Sequence, residues 1–98
     1  MSVELQREVY RLQIVGRLRM WESQLIHLRI AVRNLEGDAR QMCEMHLREL
    51  ETSNSNVVDR YADLLLSDHK TWDEKRMALD TAADELEGKF IDFAMQAV

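Results

Sequence analysis

Several features that commonly interrupt or cross-link a chain are scarce in this sequence. Its 98 residues include no proline, three glycines and one cysteine. Without proline and with little glycine, few positions oppose helix formation, so the composition favours an all-α fold. The single cysteine, Cys43, excludes a disulfide within the chain. Together with the lack of a secretory signal pattern, it predicts a cytoplasmic protein.

Long apolar runs and strand-like alternation are also missing. No run of about 18 apolar residues occurs, so no membrane-spanning helix is expected. No stretch alternates apolar and polar residues for long, which argues against a β-sheet. The net charge of −5 argues against a nucleic-acid partner, and membrane-surface contact is not expected either. Hydrophobic residues make up 46% of the chain, which predicts one folded domain over residues 1–98.

The apolar residues that are present follow helical spacing in two arms. The first arm has a heptad stripe with steps of three and four residues: Leu18, Trp21, Leu25, Leu28, Val32, Leu35, Ala39 and Met42. The second arm has a less regular stripe: Val58, Tyr61, Leu65, Trp72, Leu79, Ala82, Leu86 and Phe93. Both patterns are typical of helices that pack side by side.

A polar run separates the two arms. Thr52-Ser53-Asn54-Ser55-Asn56 consists of residues that compete with helix formation by bonding their own backbone. We therefore expect a helix over 3–51, a turn over 52–56 and a second helix over 57–97, folded as a long antiparallel, coiled-coil-like hairpin.

Two other sites could break the helices. Gly37 lies between two acidic residues and could end a helix, which would give a three-helix bundle with breaks near Gly37 and Asn54. Thr71 and Glu74 have the spacing of a capping box, which makes 67–70 a further candidate break.

In the hairpin, the pairing that fits the turn makes facing residue numbers sum to 107. Trp21 would face Leu86, and Leu28 would face Leu79. The distribution of charge agrees with the two arms lying side by side. The first arm has an arginine-rich segment, and the residues from Val57 onward include ten acids against five bases. The start of the first arm and the end of the second would then form an apolar open end.

A second stripe on the first arm has no place in a two-helix core. A helix with apolar residues on two faces cannot cover both against one neighbour, so we expect a partner there, with two chains forming a four-helix bundle. The predicted interface residues combine this stripe, the open end and the large aromatic side chains: Leu5, Val9, Leu12, Gly16, Trp21, Ile26, Ile30, Trp72, Phe90, Ile91 and Phe93.

Cys43 and His46 are one helical turn apart, the one pair with soft-metal spacing. Two ligands do not make a site, and the register places Tyr61 opposite His46, so no metal and no cofactor are expected. The sequence has no phosphate-binding loop and no zinc-protease motif. A rod-like hairpin also seldom encloses a catalytic pocket, so we do not expect an enzyme.

The sequence therefore predicts a non-catalytic protein–protein interaction module, such as a small adaptor, an assembly factor or a chaperone-like coiled-coil subunit. Its partner would be a second copy of the chain, another helical protein, or both. The alternative is a helical bundle that binds a metal or a small ligand at Cys43 and His46.

Overall fold

Helix formation begins at Ser2, whose hydroxyl accepts a hydrogen bond from the Leu5 amide at 3.1 Å and so caps the first turn. In the computed structural model, which describes residues 2–96, this cap opens α1 (Val3–Arg33). Two further helices follow, α2 (Gly37–Leu65) and α3 (Trp72–Gln96). The described residues contain no strand, which confirms the all-α prediction. The predicted end of the last helix at residue 97 lies outside them.

The first break lies where glycine makes it possible. Asn34 ends α1, Glu36 is extended, and Gly37 has a φ of +65°. A side chain would be strained at that φ, so glycine allows the chain to reverse here. The expectation of a break near Gly37 is confirmed.

The second break is held by Asp68. Its Oδ1 accepts hydrogen bonds from the amides of Lys70 and Thr71, both at 2.9 Å, and from the Thr71 hydroxyl at 3.0 Å. These bonds, with that from the Thr71 amide foremost, lower the pKa of the Asp68 carboxyl below its usual value. The candidate break at 67–70 is therefore present, between the end of α2 and the start of α3.

The predicted turn at 52–56 is wrong, because α2 runs through it without interruption. A stripe with heptad spacing continues across the polar run: Cys43, Leu47, Leu50, Asn54, Val57, Tyr61 and Leu64. Five polar residues cost a helix about 2–3 kcal/mol against alanine. Leu50 and Val57 are 1% and 0% exposed, and burying side chains of this size contributes about 1.5–3 kcal/mol each. Packing therefore outweighs local propensity.

The three helices form an up-down-up rod of 54 × 19 × 18 Å. α2 is antiparallel to both neighbours, while α1 and α3 are parallel. Tyr10 contacts Asp80, and Arg17 contacts Glu87, so facing positions on α1 and α3 differ by a constant offset. The predicted pairing with a constant sum of 107 is wrong for this reason: a third helix reverses the chain once more.

The same reversal removes the predicted apolar open end. The start of α1 lies beside the start of α3, where Arg7 contacts His69 and Tyr10 packs against Trp72. The end of α3 lies instead beside the second half of α1, where Phe90 and Phe93 are near Leu28.

A single core runs along the rod. Every helix contributes buried side chains: Ile14, Trp21, Leu25, Val32, Leu47, Leu50, Val57, Leu64, Leu79, Ala82, Ala83 and Leu86. The seam predicted for the first arm is confirmed from Trp21 to Val32, with Leu18 and Leu28 packed against its edge. Leu35, Ala39 and Met42 are exposed, because the helix ends before them.

Polar residues interrupt this core at the middle of α2. Ser53 is buried, and the Asn54 side-chain oxygen is buried without a hydrogen-bond partner. An unpaired buried acceptor costs about 1–3 kcal/mol. We expect Asn54→Leu, which removes the acceptor and completes the stripe, to raise the free energy of unfolding by about 1–2 kcal/mol and the melting temperature by several degrees.

The matched control is Thr52→Leu, which gives a similar gain in helix propensity at an exposed position two residues away. It should change stability by a few tenths of a kcal/mol. Equal gains for the two variants in chemical denaturation would show that Asn54 does not face the core.

Candidate functional site

A stripe along the outside of α1, apolar at both ends and interrupted in the middle by Gly16, Arg19 and Ser23, is the candidate site. We call it the outer α1 stripe; its residues follow steps of four and three: Leu5, Val9, Leu12, Gly16, Arg19, Ser23, Ile26 and Ile30. Its five large apolar side chains are between 40% (Val9) and 65% (Leu12) exposed. The core stripe of α1 lies on the opposite face, so α1 is apolar on two sides. From Leu5 to Ile30 the outer stripe extends about 38 Å.

Gly16 lies in the middle of this stripe, inside a 31-residue helix. Glycine destabilises a helix interior by about 1 kcal/mol relative to alanine. A Cβ added at Gly16 would meet no atom within 4 Å, so no contact within the chain requires glycine there. The position is open for the close approach of another molecule.

Charged residues line one edge of the stripe. Glu8 accepts a hydrogen bond through Oε2 from Arg11 at 2.6 Å, and Arg29 donates through Nε to Glu51 at 3.3 Å. All four side chains are about half exposed, so each pair contributes at most about 1 kcal/mol. Arg29 has further N–H donors, and Glu8 has a second carboxylate oxygen. Both groups can therefore take an additional partner.

The predicted interface residues divide between surface and core. Six of them lie on the outer α1 stripe: Leu5, Val9, Leu12, Gly16, Ile26 and Ile30. Trp21 is 2% exposed and belongs to the core, so it cannot present its ring to a partner. Ile91 is exposed on α3, away from the stripe, which shows that the structure does not gather the whole set in one place.

The remaining aromatic residues join helices to one another. Trp72 packs edge-on against Tyr10, with ring centroids 5.6 Å apart, and the Arg7 guanidinium carbon lies 4.8 Å above its ring. Phe90 and Phe93 pack against the core and line an open cleft between α1 and α3.

The metal candidates Cys43 and His46 lie at the other end of the rod. Cys43 is half-buried, and the His46 ring is edge-on to Phe93 with centroids 6.4 Å apart. Phe93 thus occupies the place predicted for Tyr61, which lies on the same helix as His46. Among residues 2–96 no three histidine, cysteine or acidic side chains come together as metal ligands would.

Sequence reasoning missed a polar cluster between α1 and α3. The Tyr10 hydroxyl donates to Asp80 Oδ1 at 2.5 Å, and Arg76 donates to Asp80 Oδ2 at 3.0 Å. Burial raises the pKa of Tyr10, and the hydrogen bond and charge of Asp80 raise it further. The one signal in the sequence is that Tyr10 lies four residues before the core residue Ile14, on the same side of α1. Its partner Asp80 could not be identified from the sequence, because the parallel alignment of α1 and α3 is a property of the tertiary structure.

Comparisons with known proteins do not assign a function, so the proposed function is argued from the geometry of the structure. The chain matches no protein-family model, and neither a curated protein nor a solved structure shows significant similarity to it.

Within the part of the chain that the structure describes, none of the helices is long and apolar enough to cross a membrane.

The Tyr10–Asp80 contact should appear in the pH dependence of stability. An ordinary tyrosine loses its proton near pH 10, whereas folded Tyr10 holds its proton to higher pH. Above pH 10 the unfolded chain therefore binds fewer protons than the folded chain, and stability falls as pH rises. We expect Tyr10→Phe to cost about 1 kcal/mol at pH 7 and to reduce the alkaline loss.

Asp80→Asn provides the control, since it keeps the shape of the acceptor and removes the charge that contributes to the shift. Urea unfolding at pH 7, 9, 10 and 11 measures both variants. A Tyr10→Phe protein whose stability falls between pH 9 and pH 11 as steeply as that of the wild type would contradict this assignment.

Proposed function

We propose that this protein is a non-catalytic protein–protein interaction module, a small adaptor, assembly factor or chaperone-like helical subunit. The outer α1 stripe is its binding surface. One observation carries the proposal: α1 has a second stripe with heptad spacing, exposed over most of its length, in addition to the stripe that forms the core. Contiguous exposed apolar patches on soluble proteins mark interaction sites, and such residues form both ends of the stripe, Leu5, Val9 and Leu12 at one end and Ile26 and Ile30 at the other.

The spacing indicates what kind of partner fits. Steps of four and three residues produce the knobs-into-holes seam that a second helix fills. Helix-in-groove and helix-on-helix recognition depends on such anchors at the same positions of successive turns. The expected partner is therefore a helix, supplied by a second copy of this chain or by another helical protein.

The proposed binding surface lies on a folded helix but contributes no side chain to the core. Trp21 and Leu25 on the opposite face of α1 are buried, so α1 stays folded whether or not a partner is present. Substitutions on the outer α1 stripe can therefore test binding without removing core side chains. A cytoplasmic location, argued from the single cysteine, is part of the proposal.

The test is the native mass of the protein in extracts of the cells that make it. We expect the wild type to migrate above the 11.6 kDa of one chain. The double variant Leu12→Asp/Ile26→Asp should return to the monomer mass, because charged groups in the seam oppose its burial. Its helicity and melting temperature should stay close to those of the wild type.

Met77→Asp is the matched control, since Met77 is 62% exposed on α3, outside the outer α1 stripe. It should leave the native mass unchanged. The proposal fails if the wild type is monomeric in the extract, or if the stripe variant keeps the native mass of the wild type.

A further inference from the structure

Given the proposed function, the residues of the outer α1 stripe favour one arrangement of its partner. We infer that the partner is a second copy of this chain, with the two α1 helices antiparallel. The two-fold axis passes between residues 17 and 18, so that facing stripe positions have numbers that sum to 35. Three kinds of observation select this arrangement: side-chain size, charge complementarity at the edge, and the position of Arg19.

Side-chain sizes match in this register. Four of the five large apolar residues face another large residue, with Leu5 opposite the partner's Ile30 and Val9 opposite the partner's Ile26, while Leu12 faces the partner's Ser23. At the centre, Gly16 faces the partner's Arg19. The open space above Gly16 gives the long arginine stem room to cross the seam. The helix-destabilising glycine, which no contact within the chain explains, thus has a structural reason.

Charges along the edge match as well. Flanking positions on the Glu8 edge pair at a sum of 37, which places Glu8 opposite the partner's Arg29. Two-fold symmetry repeats this pair, so each dimer contains two such pairs of opposite charge. Both side chains are about half exposed, and their existing bonds leave oxygen and N–H groups for the partner.

Neighbouring registers bring like charges together. A shift of one heptad in one direction places Glu8 opposite the partner's Glu22, and Leu12 then faces the glycine position. A shift in the other direction places Glu22 opposite the partner's Glu22 on the axis. Like charges at facing flanking positions are unfavourable, so both slipped registers are disfavoured relative to the sum of 35.

A parallel dimer is disfavoured by the stripe itself. In a parallel pair each residue faces its own copy, so Arg19 would face the partner's Arg19 within the seam. Two guanidinium groups cannot share that position without repulsion and loss of solvent. Arg19 therefore disfavours the parallel orientation, whereas in the antiparallel register it faces the partner's Gly16.

The resulting assembly has six helices, because each chain contributes three. The two α1 helices lie at the centre, and each pair of α2 and α3 helices lies outside. A four-helix bundle, expected for two hairpins, does not apply to a three-helix chain.

Disulfide cross-linking in the full chain tests the register. In a Cys43→Ser background, Val9→Cys and Ile26→Cys are prepared as separate proteins, then mixed and oxidised. The facing pair brings the two thiols within reach of a disulfide. Like positions are about 25 Å apart along the axis, so neither variant can cross-link to itself. Intact mass spectrometry should show a mixed disulfide dimer from the mixture and only monomer from each variant alone.

Light scattering of the Cys43→Ser protein before oxidation supplies the second readout, with a dimer mass of 2 × 11.6 = 23.2 kDa expected. Cross-linking of each variant to itself would establish a parallel pair and overturn the inference. A dimer without the mixed disulfide would place the contact elsewhere and also overturn it. A monomer would exclude the second copy as partner, whereas the proposed function would still be decided by the stripe-dependent native mass in cell extracts.

Discussion

The structure depends on the heptad stripe of α2, which is uninterrupted as a helix and apolar along most of its length. Leu47, Leu50, Val57 and Leu64 are buried along its length, and both other helices pack against it in the opposite direction. A break at the polar run would have divided this stripe between two helices and exposed part of it. Because burial of the flanking side chains exceeds the propensity cost of the run, the helix continues. The polar residues remain in the middle of the core, where Asn54 has a buried, unpaired oxygen.

The central position of α2 fixes the relation between its neighbours. α1 and α3 are parallel and do not approach within 8 Å between Cα atoms, so long side chains connect them. Tyr10 reaches Asp80, and Arg17 reaches Glu87 while its guanidinium lies 4.7 Å above the Trp21 ring. One arginine of the first helix, Arg17, pairs with an acid of the last, in the parallel direction, whereas Arg11 pairs with Glu8 and Arg29 with Glu51 of α2.

The same packing leaves one face of α1 without a neighbour. A three-helix rod can cover one stripe of each helix, and the core uses the stripe that contains Ile14, Trp21 and Leu25. The outer α1 stripe is therefore exposed on a helix whose opposite face packs in the core. In the dimer that we infer, Gly16 and Arg19 at its centre select the orientation and register of the second copy.

Part of this was determined by the sequence alone. The all-α class follows from the lack of proline and from heptad spacing. The break near Gly37 follows from the backbone freedom of glycine, which is local. The break at 67–70 is also local, but Asp68 holds it and not the Thr71–Glu74 capping box from which it was predicted. The outer α1 stripe is also visible in the sequence, since periodicity requires no knowledge of neighbours. Tertiary structure alone decided that residues 52–56 stay helical and that Tyr10 meets Asp80 and Trp72. The physical reason is that local propensities amount to a few tenths of a kcal/mol per residue, whereas the burial of one large side chain contributes several times more. That larger contribution depends on which helices become neighbours, and residue spacing within one helix does not specify them.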